Sequence, residues 1–250
     1  SNHTSVDLRM DLIGFGFHAW GGFNTFNVTM RNNLAMAVPY GMFEAVKELG
    51  NKDYDFSGLG MDASSWVELG LGHSRQVTDA IRVGGKVKVL LGAARAMLNV
   101  KNAQLKLSAP EKWTLVADAE AEVSVKGFDW GESEMTKLEN GTEYEQIDFD
   151  NMNLETPGLG GWGLGFDLGA EWDLGEQGWL DGMKVSASVL DLGFISWGET
   201  SMAYNKGKEI TIDGFNDIQV DGETGDPMEN KTDDLGDRFT ELLALQDGGV

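Results

Sequence analysis

Every second residue between 162 and 174 is apolar: Trp162, Leu164, Phe166, Leu168, Ala170, Trp172 and Leu174. Between them stand Gly163, Gly165, Asp167, Gly169, Glu171 and Asp173. Side chains alternate across a strand, so this period of two predicts a two-faced β-strand. At about 13 residues it is twice the usual strand length. Trp162 and Trp172 stand roughly 33 Å apart along it. At a tilt of about 45° that projects to roughly 23 Å, close to the apolar band of an outer-membrane barrel with its aromatic girdles.

The same alternation recurs along the chain. Residues 59–73 and 81–93 form two long strands joined by a turn near Ser74–Asp79. Residues 113–125 repeat the pattern from Trp113 to Val125, and 183–197 repeat it again. Two strands change phase midway. The apolar row of 6–19 runs through Val6, Leu8, Met10 and Leu12, then continues as Ile13, Phe15 and Phe17. That of 183–197 shifts at Leu190. Each shift predicts a β-bulge. Residues 98–107 read as extended but weakly patterned. Around 40–49, Met42, Phe43, Val46 and Leu49 follow helical spacing between Pro39 and Gly50, which predicts a short amphipathic helix. Leu235, Phe239, Leu242 and Leu243 predict a second. The expected fold is therefore all-β: one antiparallel up-and-down barrel domain over residues 1–250, with long strands and one or two short helices. No closing strand follows the last helix, so a piece of a larger barrel is expected.

Composition sharpens this picture. Glycine numbers 34 and proline only 4, which suits long twisted strands. No run approaches the ~18 apolar residues of a membrane helix. The net charge of −22 excludes the clustered cationic surface that nucleic acid requires. That charge is concentrated. Residues 127–157 and 213–237 each hold nine acids and one lysine. Acidic loops are accordingly expected over 127–157 and 199–233.

None of the apolar rows over 59–71, 81–93, 113–125 and 162–174 contains a charge. A lipid-facing charge at mid-bilayer costs ~2–4 kcal/mol, so this purity is required of a membrane barrel. A soluble core imposes a similar rule. Gly-rich opposite rows favour a crowded lumen. The lumen-lining candidates are Glu68, Arg82, Lys86, Lys88, Asp167, Glu171 and Asp173, where acids and bases on neighbouring strands can pair. The membrane-girdle candidates are Trp113, Trp162, Phe166 and Trp172. Asp148 and Asp150 are weak candidate ligands for a calcium ion. No other cofactor is expected. Cysteine is absent, and His3, His18 and His73 lack metal-ligand spacing. No nucleophile motif opens a helix after a strand, so no catalytic residue is assigned and no enzymatic activity is expected.

Three stretches carry a resemblance: Ser188–Trp197 (SVLDLGFISW), Leu69–Asp79 (LGLGHSRQVTD) and Val83–Gly92 (VGGKVKVLLG). They are similar to Bacteroidota outer-membrane β-barrel proteins of an uncharacterised family, distantly similar to PorV- and FadL-type barrels. The resemblance implies a Gram-negative outer-membrane location and an antiparallel barrel, with no catalytic residues to transfer. The expectation is a non-enzymatic barrel in contact with membrane lipid. It would pass or hold a small ligand, hydrophobic ones included, or scaffold surface proteins. The alternative is a soluble or cell-surface β-sandwich or barrel that binds glycan or lipid.

Overall fold

The period-two segments form strands that pair with their sequence neighbours. The computed structural model describes residues 2–47, 52–109, 112–131, 133–137, 143–147, 153–154, 158–175, 182–212 and 244–249. The elements in order are β1 (Asn2–Ala19), β2 (Gly22–Val38), α1 (Tyr40–Lys47), β3 (Tyr54–Asp55), β4 (Gly60–Gln76), β5 (Ile81–Ala109), β6 (Lys112–Ser124), β7 (Phe128–Asp129), β8 (Ser133–Lys137), β9 (Glu143–Ile147), β10 (Asn153–Leu154), β11 (Gly161–Asp173), β12 (Lys184–Trp197), β13 (Thr200–Ile212) and β14 (Gln246–Gly249). Nearly all of this is one antiparallel sheet. The helix expected at 235–243 lies outside the described residues, as do Leu49, Asp148 and Asp150.

β1, β2, β4 and β5 form an up-and-down meander. β1 turns into β2 through Trp20 and Gly21, which adopt the paired positive φ of a two-residue hairpin (54° and 71°). β5 spans 29 residues, roughly 95 Å of extended chain. Beyond it the sheet has two storeys. From Ile81 to Gly92, β5 pairs with β11; from Arg95 to Ala109 it pairs with β6. β12 flanks β11, and β13 flanks β6. Thus β6 and β11 lie end to end along one edge of β5, and β12 and β13 lie end to end beside them. Residues 125–160 leave and rejoin the sheet at the seam between storeys. There the Gly160 amide donates to the Gly92 carbonyl (2.8 Å), and the Gly198 amide to the Gly160 carbonyl (2.9 Å). Among the described residues, β1 and β12 pair on one side only.

Both predicted bulges are present. Register shifts between Asp11 and Ile13 in β1, and opposite Phe166–Leu168 in β12. Both acidic-loop expectations are corrected: within 127–157, β7 pairs with β10 and β8 with β9. Residues 200–212, assigned to an acidic loop, form the 13-residue strand β13. Its register breaks between Asn205 and Lys208, and this break hides the alternation.

The two faces of the sheet are packed in the reverse of the usual sense. On the upper storey the apolar row is outside: Trp162, Phe166, Leu168, Trp172, Val189, Leu192 and Phe194 are all exposed, Leu168 to 61%. The polar row is inside, with Glu68 and Lys88 exposed to only 1% and 3%. On the lower storey the apolar face is covered. Tyr54 and Phe56 around β3, with Ala45 of α1, pack on Leu105, Leu115 and Ala117. Trp130 and Ile147 of the 125–160 excursion pack on Ala121 and Ala203, with Leu98 beside them. Met61 pairs directly with Leu98 and lies on the same β4 row as Val67 and Leu71, so the covered face continues the exposed one. Trp113, the remaining girdle candidate, lies on β6 in the lower storey.

Asp55 fixes the β3 turn by accepting the Ser57 amide at 2.9 Å. Hydrogen bonds from the Ser57 hydroxyl and amide hold its carboxyl below the ordinary carboxylate range. A depressed native pKa stabilises the fold above the unfolded value, and the contribution is lost as pH falls through the native one. Asp55→Asn should therefore flatten the acid limb of the stability–pH curve below about pH 4, as read by chemical denaturation.

Candidate functional site: an ion-bridged concave face

Each strand of the upper storey contributes one or more charges to its inner face, and six of these side chains converge. Asp7 comes from β1, Arg31 from β2, Glu68 from β4, Lys88 from β5, Asp167 from β11 and Asp191 from β12. Lys88 Nζ lies 2.6 Å from Asp167, 2.5 Å from Asp191 and 3.7 Å from Glu68. Arg31 lies 3.0 Å from Asp7, 3.5 Å from Asp191 and 3.8 Å from Glu68. Thr29 and Asp11 extend the network through a 2.6 Å hydrogen bond. Glu68 and Lys88 are buried and Arg31 nearly so, while Asp7 and Asp191 stay half exposed. Buried ions are tolerated only when paired, and each cation here faces three carboxylates.

The contact between Arg31 and Asp191 also fixes the shape of the sheet. β2 and β12 are four strand spacings apart, roughly 19 Å along the sheet. Their side chains meet at 3.5 Å, so the charged face is concave. Close strand approach permits this curl. A Cβ at Gly163 would overlap the Phe194 carbonyl oxygen, and one at Gly193 the Leu164 carbonyl oxygen. Gly163→Ala should cost about 1–3 kcal/mol of stability as the two strands are forced apart. Gly14→Ala, where a Cβ has no neighbour within 4 Å, is the matched control in the same denaturation series.

The sequence-derived candidates divide into two groups. Glu68, Lys88 and Asp167 meet in the network. Glu171 and Asp173 lie nearer the hairpin end, where Lys184 bridges them at 3.7 and 3.5 Å. Arg82 stands opposite Glu171, and Lys86 opposite Asp167. Arg31, Asp7 and Asp191 were not foreseen. Asp191 sits in the bulge with φ 57°, wedged between Leu190 and Leu192, and only the phase change in β12 signalled it. Trp162, Phe166 and Trp172 lie on the opposite, exposed face.

A cavity of about 420 Å³ opens beside the network, lined by Arg31, Asp62, Trp66, Glu68, Arg95 and Trp197 among others. A larger depression of about 690 Å³ is apolar and open, and lies on the convex side between Val83, Leu168, Ala170 and Val189. Among the described residues, no group of three or more His, Asp or Glu side chains is arranged to hold a metal ion.

Fold and site together define an antiparallel β protein with an apolar convex face and an ion-bridged concave one. The chain belongs to a family of unknown function (DUF5723), whose model matches residues 1–249. No curated protein and no solved structure matches it.

Proposed function

We propose that this chain is the wall of a Gram-negative outer-membrane β-barrel, without enzymatic activity, that holds or passes a small polar ligand. The observation that carries this reading is the inverted packing of the upper storey. Trp162, Phe166, Leu168, Val189, Leu192 and Phe194 point away from the protein, while Glu68 and Lys88 are shut inside. Water penalises that arrangement on both faces. A bilayer favours it, because lipid covers the apolar row and an enclosed lumen keeps the ions paired. A soluble sandwich would need those apolar rows in a shared interior. The ionic lining also argues against the hydrophobic ligand that the sequence left open.

Connection lengths supply a direction. Trp20–Gly21, Val77–Ala80 and residues 174–183 close one end. β2 ends at Val38 and β13 at Ile212 in the lower storey, and β6 ends at Ser124 at the seam; each is followed by a long stretch of sequence before its next partner strand. Outer-membrane barrels keep short turns in the periplasm and long loops outside. Protease added to intact cells should therefore cut within 127–157 and spare the Val77–Ala80 turn, as mapped by mass spectrometry.

The chain has no cysteine, so single-cysteine variants report one site each. In the proposed arrangement, a fluorophore at Leu168→Cys in vesicles is quenched by lipid-borne quenchers, whereas one at Thr29→Cys is not. The folded protein should also need detergent and run differently on gels before and after boiling. A detergent-free monomer with position 168 untouched by lipid would overturn the reading.

A further inference from the structure

We infer that the concave cavity takes a neutral polyhydroxylated ligand, a saccharide, seated beside Trp66 and Trp197; this rests on the barrel reading above. Trp66, Gly92, Gly161 and Trp197 are successive cross-strand partners on β4, β5, β11 and β12. Two tryptophans thus flank a floor with no side chains. The Trp197 ring lies along that floor, so that a Cβ on Gly92 would come within 2.7 Å of it. Arg31 sits 5.6 Å from the centre of the Trp66 ring. Aromatic faces at a polar trough suit the C–H faces of a sugar ring. A cavity of about 420 Å³ is of small-ligand size.

Charge narrows the choice further. Arg95 is held by Asp62 at 2.7 Å, and Arg31 and Lys88 are held by the network. Among the described residues, no cation lining the cavity is left over for a phosphate or a fatty-acid carboxylate, and an alkyl tail would lie against ions. The lining offers donors and acceptors together, among them Asn33, Ser64, Asp62 and Arg95. A hydroxyl donates and accepts at once and so suits such a lining better than a carboxylate or an ammonium does.

The test uses the full chain in a zwitterionic detergent without a sugar head group. Maltose is titrated by calorimetry and tryptophan fluorescence, with glucose 6-phosphate and palmitate in parallel. Saturable maltose binding is expected, weakened at least tenfold by Trp66→Leu and by Trp197→Leu. Heat-modifiable gel mobility confirms that each variant is folded. Should either leucine variant misfold, Trp66→Phe and Trp197→Phe keep an aromatic face and should weaken binding less. Three results would overturn the inference: a folded protein that ignores maltose, tighter binding of palmitate or the sugar phosphate, or maltose binding indifferent to both tryptophans. Failure of the barrel reading shows separately, as a protein that stays monomeric without detergent.

Discussion

Replacing Lys88 with methionine should destabilise the protein by about 3–5 kcal/mol, the usual cost of removing one partner from a buried ion pair. Among the described residues its Nζ is the only cationic atom in contact with Asp167, and it shares Glu68 and Asp191 with Arg31. Without it, Asp167 loses this contact, and Glu68 and Asp191 are left to Arg31, which also holds Asp7. The measurement is urea unfolding in micelles, followed by tryptophan fluorescence. A second variant separates pairing from packing. Adding Glu68→Gln to Lys88→Met removes one stranded charge and should recover part of the loss. If Lys88→Met costs less than about 1 kcal/mol, the network is hydrated like a surface ion pair and does not brace the sheet.

Leu168→Arg should cost ~2–4 kcal/mol when folding is measured in phospholipid vesicles, because the charge would lie in the middle of an exposed apolar row. Leu168 is 61% exposed, so an ordinary water-facing surface would tolerate the change within about 0.5 kcal/mol. The sign of this result therefore depends on the solvent at that face. Ser188→Arg, on the neighbouring strand β12 directly opposite Gly169, places the same charge on the other row and should be milder.

Much of the wall was readable before any coordinates. A period of two kept up for a dozen residues fixes both the strand and its faces, so β4, the first half of β5, β11 and β12 were legible. The bulges of β1 and β12 were legible too, because a phase change leaves its mark on the pattern. Two things were not. Sequence alternation does not reveal what lies over an apolar row, and so β6 looked the same as β11. Yet Leu115 and Ala117 are buried by Tyr54 and Phe56, while Trp162 and Phe166 are bare. The ionic site was half legible. Glu68, Lys88 and Asp167 alternate cleanly. Arg31 and Asp191 join them only through the curl of the sheet, which spans four strands and depends on close approach at Gly163 and Gly193.

The seam at Gly160 and Gly198 bears on how such a wall can be rebuilt. Two neighbouring tracks of chain break at one level, one by only two residues and the other by a long detour. Material added or exchanged there shifts no pairing on either side. Grafts at positions 198–199 therefore offer a direct way to add new surface between β12 and β13 while the continuous β5 holds both storeys together.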